Sequence, residues 1–174
     1  MPSANLLPDH GLSVTVGGLA RHELIAELAS RNILLNAHAE ALLADAVFDD
    51  AASQHTITVV ESSVDDLGLR DGASLSQIFT TAEARGLLLC PPTTGPYLRL
   101  AVDEQASAPD SVLSAGRAPS GSLTVATPVL SDDDEYPKGF YLRVIDGQAW
   151  LRGYRCDDEH IWSPEDRFVF QAAP

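Results

Sequence analysis

Two hydrophobic periods alternate along the chain. Leu24, Ile25 and Leu28 recur at helical spacing, with Arg21, Glu23, Glu27 and Arg31 largely between them, which predicts a helix over 19–31. Asn36, a favoured N-cap residue, opens a second helix that turns Ala39, Leu42, Leu43 and Ala46 inward. The linker 32–35 is short, so the two helices should pack as a hairpin. The best-marked helix follows Ser74, which has capping-box spacing to Gln77. Its apolar stripe is Leu75, Ile78, Phe79 and Ala82, and Gly86 stands where a left-handed cap is wanted.

Strand signals take over elsewhere. Residues 56–60 are β-branched throughout, and 97–102, 122–129 and 168–170 also read as strands. Residues 140–145 and 148–154 flank Asp146-Gly147, whose positive-φ tolerance suits a hairpin turn. The N-terminal stretch is weakly patterned and broken by Pro2, Pro8, Gly11, Gly17 and Gly18, with Val14, Thr15 and Val16 suited to a short edge strand. The expected fold is α+β: an N-terminal helical hairpin, one further capped helix, and a mainly antiparallel sheet ending in a C-terminal hairpin. The expected organisation is a flexible arm over 1–18 and a single domain over 19–174. A long loop at 103–120, rich in Ala, Ser, Pro, Asp and Gly, interrupts that domain. Loops of that length in compact domains are usually mobile or functional.

Length agrees with one domain, since 174 residues leave little room for two. Charge narrows the partners. Eleven basic residues against 25 acidic ones give a net charge of −14. Such a surface repels phosphate backbones and anionic lipid, so nucleic acid and membranes are disfavoured. A protein with a basic surface, a cationic ligand or a divalent metal is compatible. No charged-then-apolar leader opens the chain, and no apolar run approaches the roughly 18 residues that cross a bilayer. Two cysteines in unlike contexts, Cys90 and Cys156, do not make a disulfide framework. The expected location is cytoplasmic. Ten of the eleven basic residues are Arg and Ala is abundant, a bias that GC-rich bacterial genomes produce.

Candidate chemistry gathers around the hairpin. The run Asp132, Asp133, Asp134, Glu135 precedes it, and clustered carboxylates can hold Ca²⁺ or Mg²⁺. The run lacks the glycine and distal Glu of an EF-hand loop, so the metal signal is weak and a solvated acidic turn that keeps a sheet edge soluble is the plainer reading. Cys156, Asp157, Asp158, Glu159 and His160 follow the hairpin. Neighbours on an extended chain point to opposite faces, so at most Asp158 with His160, or Cys156 with Asp158, share one. If both runs meet at one end of the sheet, Asp132, Asp134, Asp158 and His160 are the candidate metal ligands. Cys90 follows three leucines and precedes two prolines, a context for a buried structural thiol rather than a nucleophile. The aromatic residues concentrate in the last third and most should be core; an exposed subset, with Tyr136, Tyr141, Trp150 and Trp162 as the candidates, would make an interaction surface. No P-loop, Rossmann glycine fingerprint, nucleophile elbow or Cys-x-x-Cys pair is present.

Two stretches carry a resemblance. One runs from Asp71-Gly72-Ala73-Ser74-Leu75 through Gly86-Leu87 and Cys90-Pro91 to Gly95-Pro96-Tyr97-Leu98-Arg99-Leu100. The other runs from Gly139-Phe140-Tyr141-Leu142 through Trp150-Leu151 to Trp162-Ser163-Pro164. Together, over roughly the latter two-thirds of the chain, they resemble a group of uncharacterised bacterial proteins, some loosely labelled helicases. The resemblance implies no established activity. The helicase label finds no support here, because there is no nucleotide-binding loop and no room for motor domains. Two functions remain in view. One is a small cytoplasmic interaction or regulatory protein. The other is a metal-dependent enzyme or metal-binding domain that uses the acidic loops 132–135 and 157–160.

Overall fold

A computed structural model describes residues 5–49, 53–102, 105 and 121–174. Among these, eight strands and four α-helices follow the order β1 (Leu12–Val16), α1 (Arg21–Ser30), β2 (Leu34–Leu35), α2 (Ala37–Leu43), β3 (His55–Ser63), α3 (Leu75–Ala84), β4 (Leu87–Leu88), α4 (Thr94–Ala101), β5 (Leu123–Val125), β6 (Gly139–Ile145), β7 (Gln148–Tyr154) and β8 (Arg167–Ala172). The strands form one sheet in the order β1-β3-β8-β5-β6-β7-β2, with β4 also paired to β8, and the sheet curls into a half-barrel.

This corrects the expected architecture in three respects. The sheet is mixed, because β5 runs parallel to β8 and β2 parallel to β7. These pairings join residues far apart in sequence and leave no local signal. Secondly, α1 and α2 are not a plain hairpin. The linker contains β2, whose Leu34 and Leu35 pair with Trp150 and Leu151; α1 packs on α4 and α2 on β7. Thirdly, the stretch expected as a strand over 97–102 begins inside a helix, α4. Thr94 through Arg99 are all buried, more than a full turn, so this helix is covered all round and leaves no amphipathic period in the sequence. Pro96 falls in the first turn, where its missing N–H is tolerated. The last strand expected over 168–170 is β8, which follows the hairpin and lies in the middle of the sheet.

Other elements match their local signals. Ser74 and Gln77 make the reciprocal capping box of α3. The Asn36 carboxamide accepts the Ala39 N–H at 2.8 Å. Asp146 and Gly147 turn the hairpin with φ of 49° and 77°. Within the expected arm, β1 is an edge strand antiparallel to β3. Glu61 anchors the residues before it: its side chain, only 2% exposed, accepts the N–H groups of Leu6 (2.7 Å) and Leu7 (2.9 Å) and pairs with Arg167. The loop expected over 103–120 lies outside the described residues, apart from Gln105.

The sheet separates two cores. On the first face Leu123, Leu142 and Leu151 oppose one another across β5, β6 and β7. They join Val14, Val59 and Val169 beneath Leu24 and Leu28 of α1, Leu42 and Leu43 of α2, and Leu98 of α4. On the second face Phe168 and Phe170 meet Leu75, Ile78 and Ala82 of α3, together with Trp162. Among the described residues no helix is long and apolar enough to cross a membrane.

Candidate functional site

Residues directly opposed across paired strands share a face. Phe168 opposes Thr124, Thr124 opposes Tyr141, and Tyr141 opposes Arg152. These four make one row across β8, β5, β6 and β7 on the second face. At β8 the row belongs to the aromatic core: the Phe168 ring centroid is 5.0 Å from that of Trp162, which is in turn 5.4 Å from Tyr154. At Thr124 and Tyr141 the row borders a cavity of about 300 Å³.

Local structure places the walls. The Asn36 side chain docks the start of α2 on β7, accepting the Gly153 N–H (2.9 Å) and donating to the Gly153 carbonyl (3.1 Å). A Cβ on Gly153 would lie 2.7 Å from the His38 backbone carbon, so glycine admits this approach and brings His38 to the cavity. On the opposite wall, Trp162 exchanges backbone hydrogen bonds with Ala73, at 2.8 and 3.3 Å, just ahead of α3. That bridge fixes the segment carrying Cys156, His160 and Trp162, all of which line the cavity. Ser122 and Tyr154 complete the lining used below.

The polar atoms are the unusual feature. Among the described residues Ser122 Oγ, Tyr154 Oη and Trp162 Nε1 are buried without a hydrogen-bond partner; all three residues line this cavity, while the atoms themselves are shielded from it. Ser122 is 8% exposed and Trp162 5%. A buried polar group left unsatisfied costs about 1–3 kcal/mol, so native proteins keep few of them.

Three of the ionisable lining groups have shifted proton affinities. Burial pushes the Cys156 thiol up to about 11; Lys138 pulls it down, while Asp157, Asp158 and Asp134 push it further up. Burial, with a smaller effect of Cys156, drives Tyr154 far above the ordinary phenol range. Burial and then the Arg155 cation lower His38, against the opposing pull of Glu135. Near neutral pH the site therefore presents a thiol, a phenol and an imidazole without charge.

The sequence-predicted ligands do not assemble. Asp132, Asp134 and Asp158 are exposed. Among the described residues no group of three or more His, Cys, Asp or Glu side chains could hold a metal, and of the four candidates His160 alone lines the cavity. The acidic runs instead close turns: Asp133 Oδ1 accepts the Glu135 N–H (2.9 Å) and Asp157 Oδ1 the Glu159 N–H (3.0 Å). Charges from both runs, Asp134 on one and Asp157 and Asp158 on the other, raise the Cys156 pKa.

The four aromatics expected as a surface also separate. Trp162 is core. Tyr136 packs against the first core and donates its O–H to Asp45 at 2.5 Å, with burial and that bond pushing its pKa to about 12. Tyr141 and Trp150 remain half-buried on the second face, where the Arg152 guanidinium lies 4.3 Å from the Trp150 ring centre. Cys90 is 1% exposed, its thiol bonded to the Val169 carbonyl at 3.7 Å and pushed to about 12 by burial, as a structural thiol should be.

The cavity residues passed over in the sequence are His38, Ser122, Thr124 and Tyr154. Strand alternation in β7 would have placed Tyr154 on the face of Arg152. Nothing local announces Ser122 or His38, which arrive through the β5–β8 pairing and the docking of α2. No protein family, curated protein or solved structure matches this chain. The chemistry of the site has to be derived from its own atoms.

Proposed function

We propose that this chain is a small regulatory binding domain whose recognition site is the cavity between β5, β6, β7 and the 156–162 segment. The observation that carries this reading is a half-enclosed cavity of about 300 Å³ walled by side chains of β5, β6, β7, α2 and the 156–162 segment, among them the rings of Tyr141, Tyr154, His160 and Trp162. The raised pKa of Cys156 supports binding over thiol catalysis, because the group offers no thiolate nucleophile near neutral pH.

A cytoplasmic setting accompanies this reading, supported by two free cysteines. A partner protein with a basic surface suits the rim, where Glu135 is exposed and charges from both acidic runs raise the Cys156 pKa. The test is a thermal-shift screen of small compounds against wild type and the variant Tyr141→Ala, which removes one of those rings. Compounds that raise the midpoint of wild type should lose that effect in the variant. Equal shifts in both proteins would place binding elsewhere and remove the proposal.

A further inference from the structure

We infer that residues 5–10 are a displaceable strap, the built-in occupant of a groove that recognises a bent, leucine-bearing segment of a partner protein through two adjacent backbone N–H groups and one buried side chain. The groove stands apart from the cavity, whose lining shares no residue with it. Its floor follows from strand alternation. Ile57 and Val59 of β3 belong to the first core, so Glu61 points to the same face. Val169 of β8 stands directly opposite Glu61, and Arg167 stands opposite Ser63, the next residue of β3 on that face. A carboxylate thus occupies a position where the period calls for an aliphatic side chain.

The strap shows what the groove selects. Leu7 is 3% exposed and joins the first core, Leu6 is half-buried, and Asn5, Pro8, Asp9 and His10 are exposed. Glu61 Oε1 accepts the Leu6 and Leu7 N–H groups together, at 2.7 and 2.9 Å. Successive N–H groups of a strand point to opposite sides, so one oxygen takes both only from a backbone that bends around it. Burying a carboxylate is costly, and an apolar pair would hold the same place at least as well. Glu61 therefore contributes selectivity for that backbone shape more than it contributes stability.

Two features make the strap releasable. Among the described residues, its hydrogen bonds to the rest of the fold are the two on Glu61. Ladder pairing with β3 begins only at Leu12, and the turn before it closes on itself, the Gly11 N–H donating to the Pro8 carbonyl at 2.9 Å. Gly11 marks the boundary: with φ of 91° and a Cβ position 2.9 Å from the Val59 carbonyl oxygen, it is pressed too close to β3 for a side chain and stays with the sheet. The second feature is Arg167, which remains paired with Glu61 when the strap leaves, so opening does not strand a lone buried charge. An incoming segment that offers the same two N–H groups and a leucine regains what the strap gives up.

The probe is an acetylated peptide of residues 4–11, fluorescently labelled at its C-terminal end and read by anisotropy against the full chain. Leu7→Ala removes the strap's own anchor. That variant, checked for folding by its thermal midpoint, should bind the peptide at least about tenfold more tightly than wild type, whose strap competes. The same peptide with alanine in place of Leu7 should not bind, and the chain Leu7→Ala/Glu61→Leu should lose at least about tenfold in affinity. No binding to Leu7→Ala at millimolar peptide, or binding indifferent to Glu61→Leu, overturns the assignment. Native-state hydrogen exchange of the wild-type chain decides the point without a variant. The Leu6 and Leu7 amides should exchange at least about tenfold faster than the amides that join β3 to β8. Equal rates would mean that the strap opens only when the sheet does, and the proposal would fall.

Discussion

Phe168 and Thr124 are neighbours in one row of the sheet, yet they belong to opposite kinds of environment. Around Phe168 the second face is closed: Phe79, Trp162 and Phe170 surround it at centroid distances of 5.0 to 6.5 Å, and α3 supplies the lid. Around Thr124 the same face borders a cavity whose walls keep partnerless polar atoms. Backbone geometry is continuous across the boundary, so strand structure does not explain the change. Coverage does. Where α3 lies over β8 the side chains are apolar and interlocked, and beyond its reach they are hydroxyls, phenols and imidazoles. One face of one sheet thus divides into a half that supplies stability and a half that gives some of it up.

The strongest way to break this comparison is to delete a large side chain from each half. Phe168→Ala should cost about 3–5 kcal/mol, the usual range for a buried phenylalanine, whereas Thr124→Ala should cost less than about 1 kcal/mol. Denaturant midpoints at constant slope measure both. Comparable losses would mean that the two halves are one core.

A smaller effect tests the lid. Ser74→Ala removes the side chain that accepts the Gln77 N–H at the start of α3 and should cost about 1 kcal/mol. It should also speed hydrogen exchange at the Trp162 amide, which is bonded to Ala73 next to that cap. Unchanged exchange would uncouple α3 from the Trp162 wall.

On the cavity side the sign should reverse. Tyr154→Phe removes a buried O–H that has no partner, so it should leave stability unchanged or raise it by up to about 1 kcal/mol. A clear loss of stability would mean that the hydroxyl is satisfied within the free protein.

The smallest expected effect is on pH dependence. Folding lowers the proton affinity of His38 below its ordinary 6.5, so near that pH the unfolded chain holds more protons. Its contribution is fully favourable above about 6.5 and is lost as pH falls through the depressed folded value. His38→Gln should flatten this part of the stability profile. An unchanged slope would assign it to other groups.

Much of the packed half was legible in the sequence. The capping box at Ser74, the stripe Leu75–Ile78–Ala82 and the β-branched run in β3 each carry their structure in residues a few positions apart. The hairpin was legible for the same reason, because Asp146-Gly147 sets its register. The cavity was not. Its walls depend on β5 meeting β8 across more than forty residues, and on α2 meeting Gly153 across more than a hundred. The acidic runs drew attention by composition, yet Asp133 and Asp157 are engaged in backbone turns. Helix α4 was misread because Tyr97, Leu98, Arg99 and Leu100 mimic a strand, and a helix buried all round from Thr94 to Arg99 leaves no amphipathic stripe to correct that reading.

The central place of β8 has a consequence for how the chain reaches this structure. It is the last strand in sequence, yet β3 lies along one side of it and β5 and β4 along the other. Until it inserts, the β1–β3 pair and the β5–β6–β7 meander are separate halves with open apolar edges, vulnerable to pairing with other chains. Closing them requires contacts between distant parts of the sequence, the kind that slow folding. Pulse-labelled hydrogen exchange should therefore find the β6–β7 amides protected before those that bond β8 to β3. The finished sheet is keyed shut by a strand that no early intermediate contains.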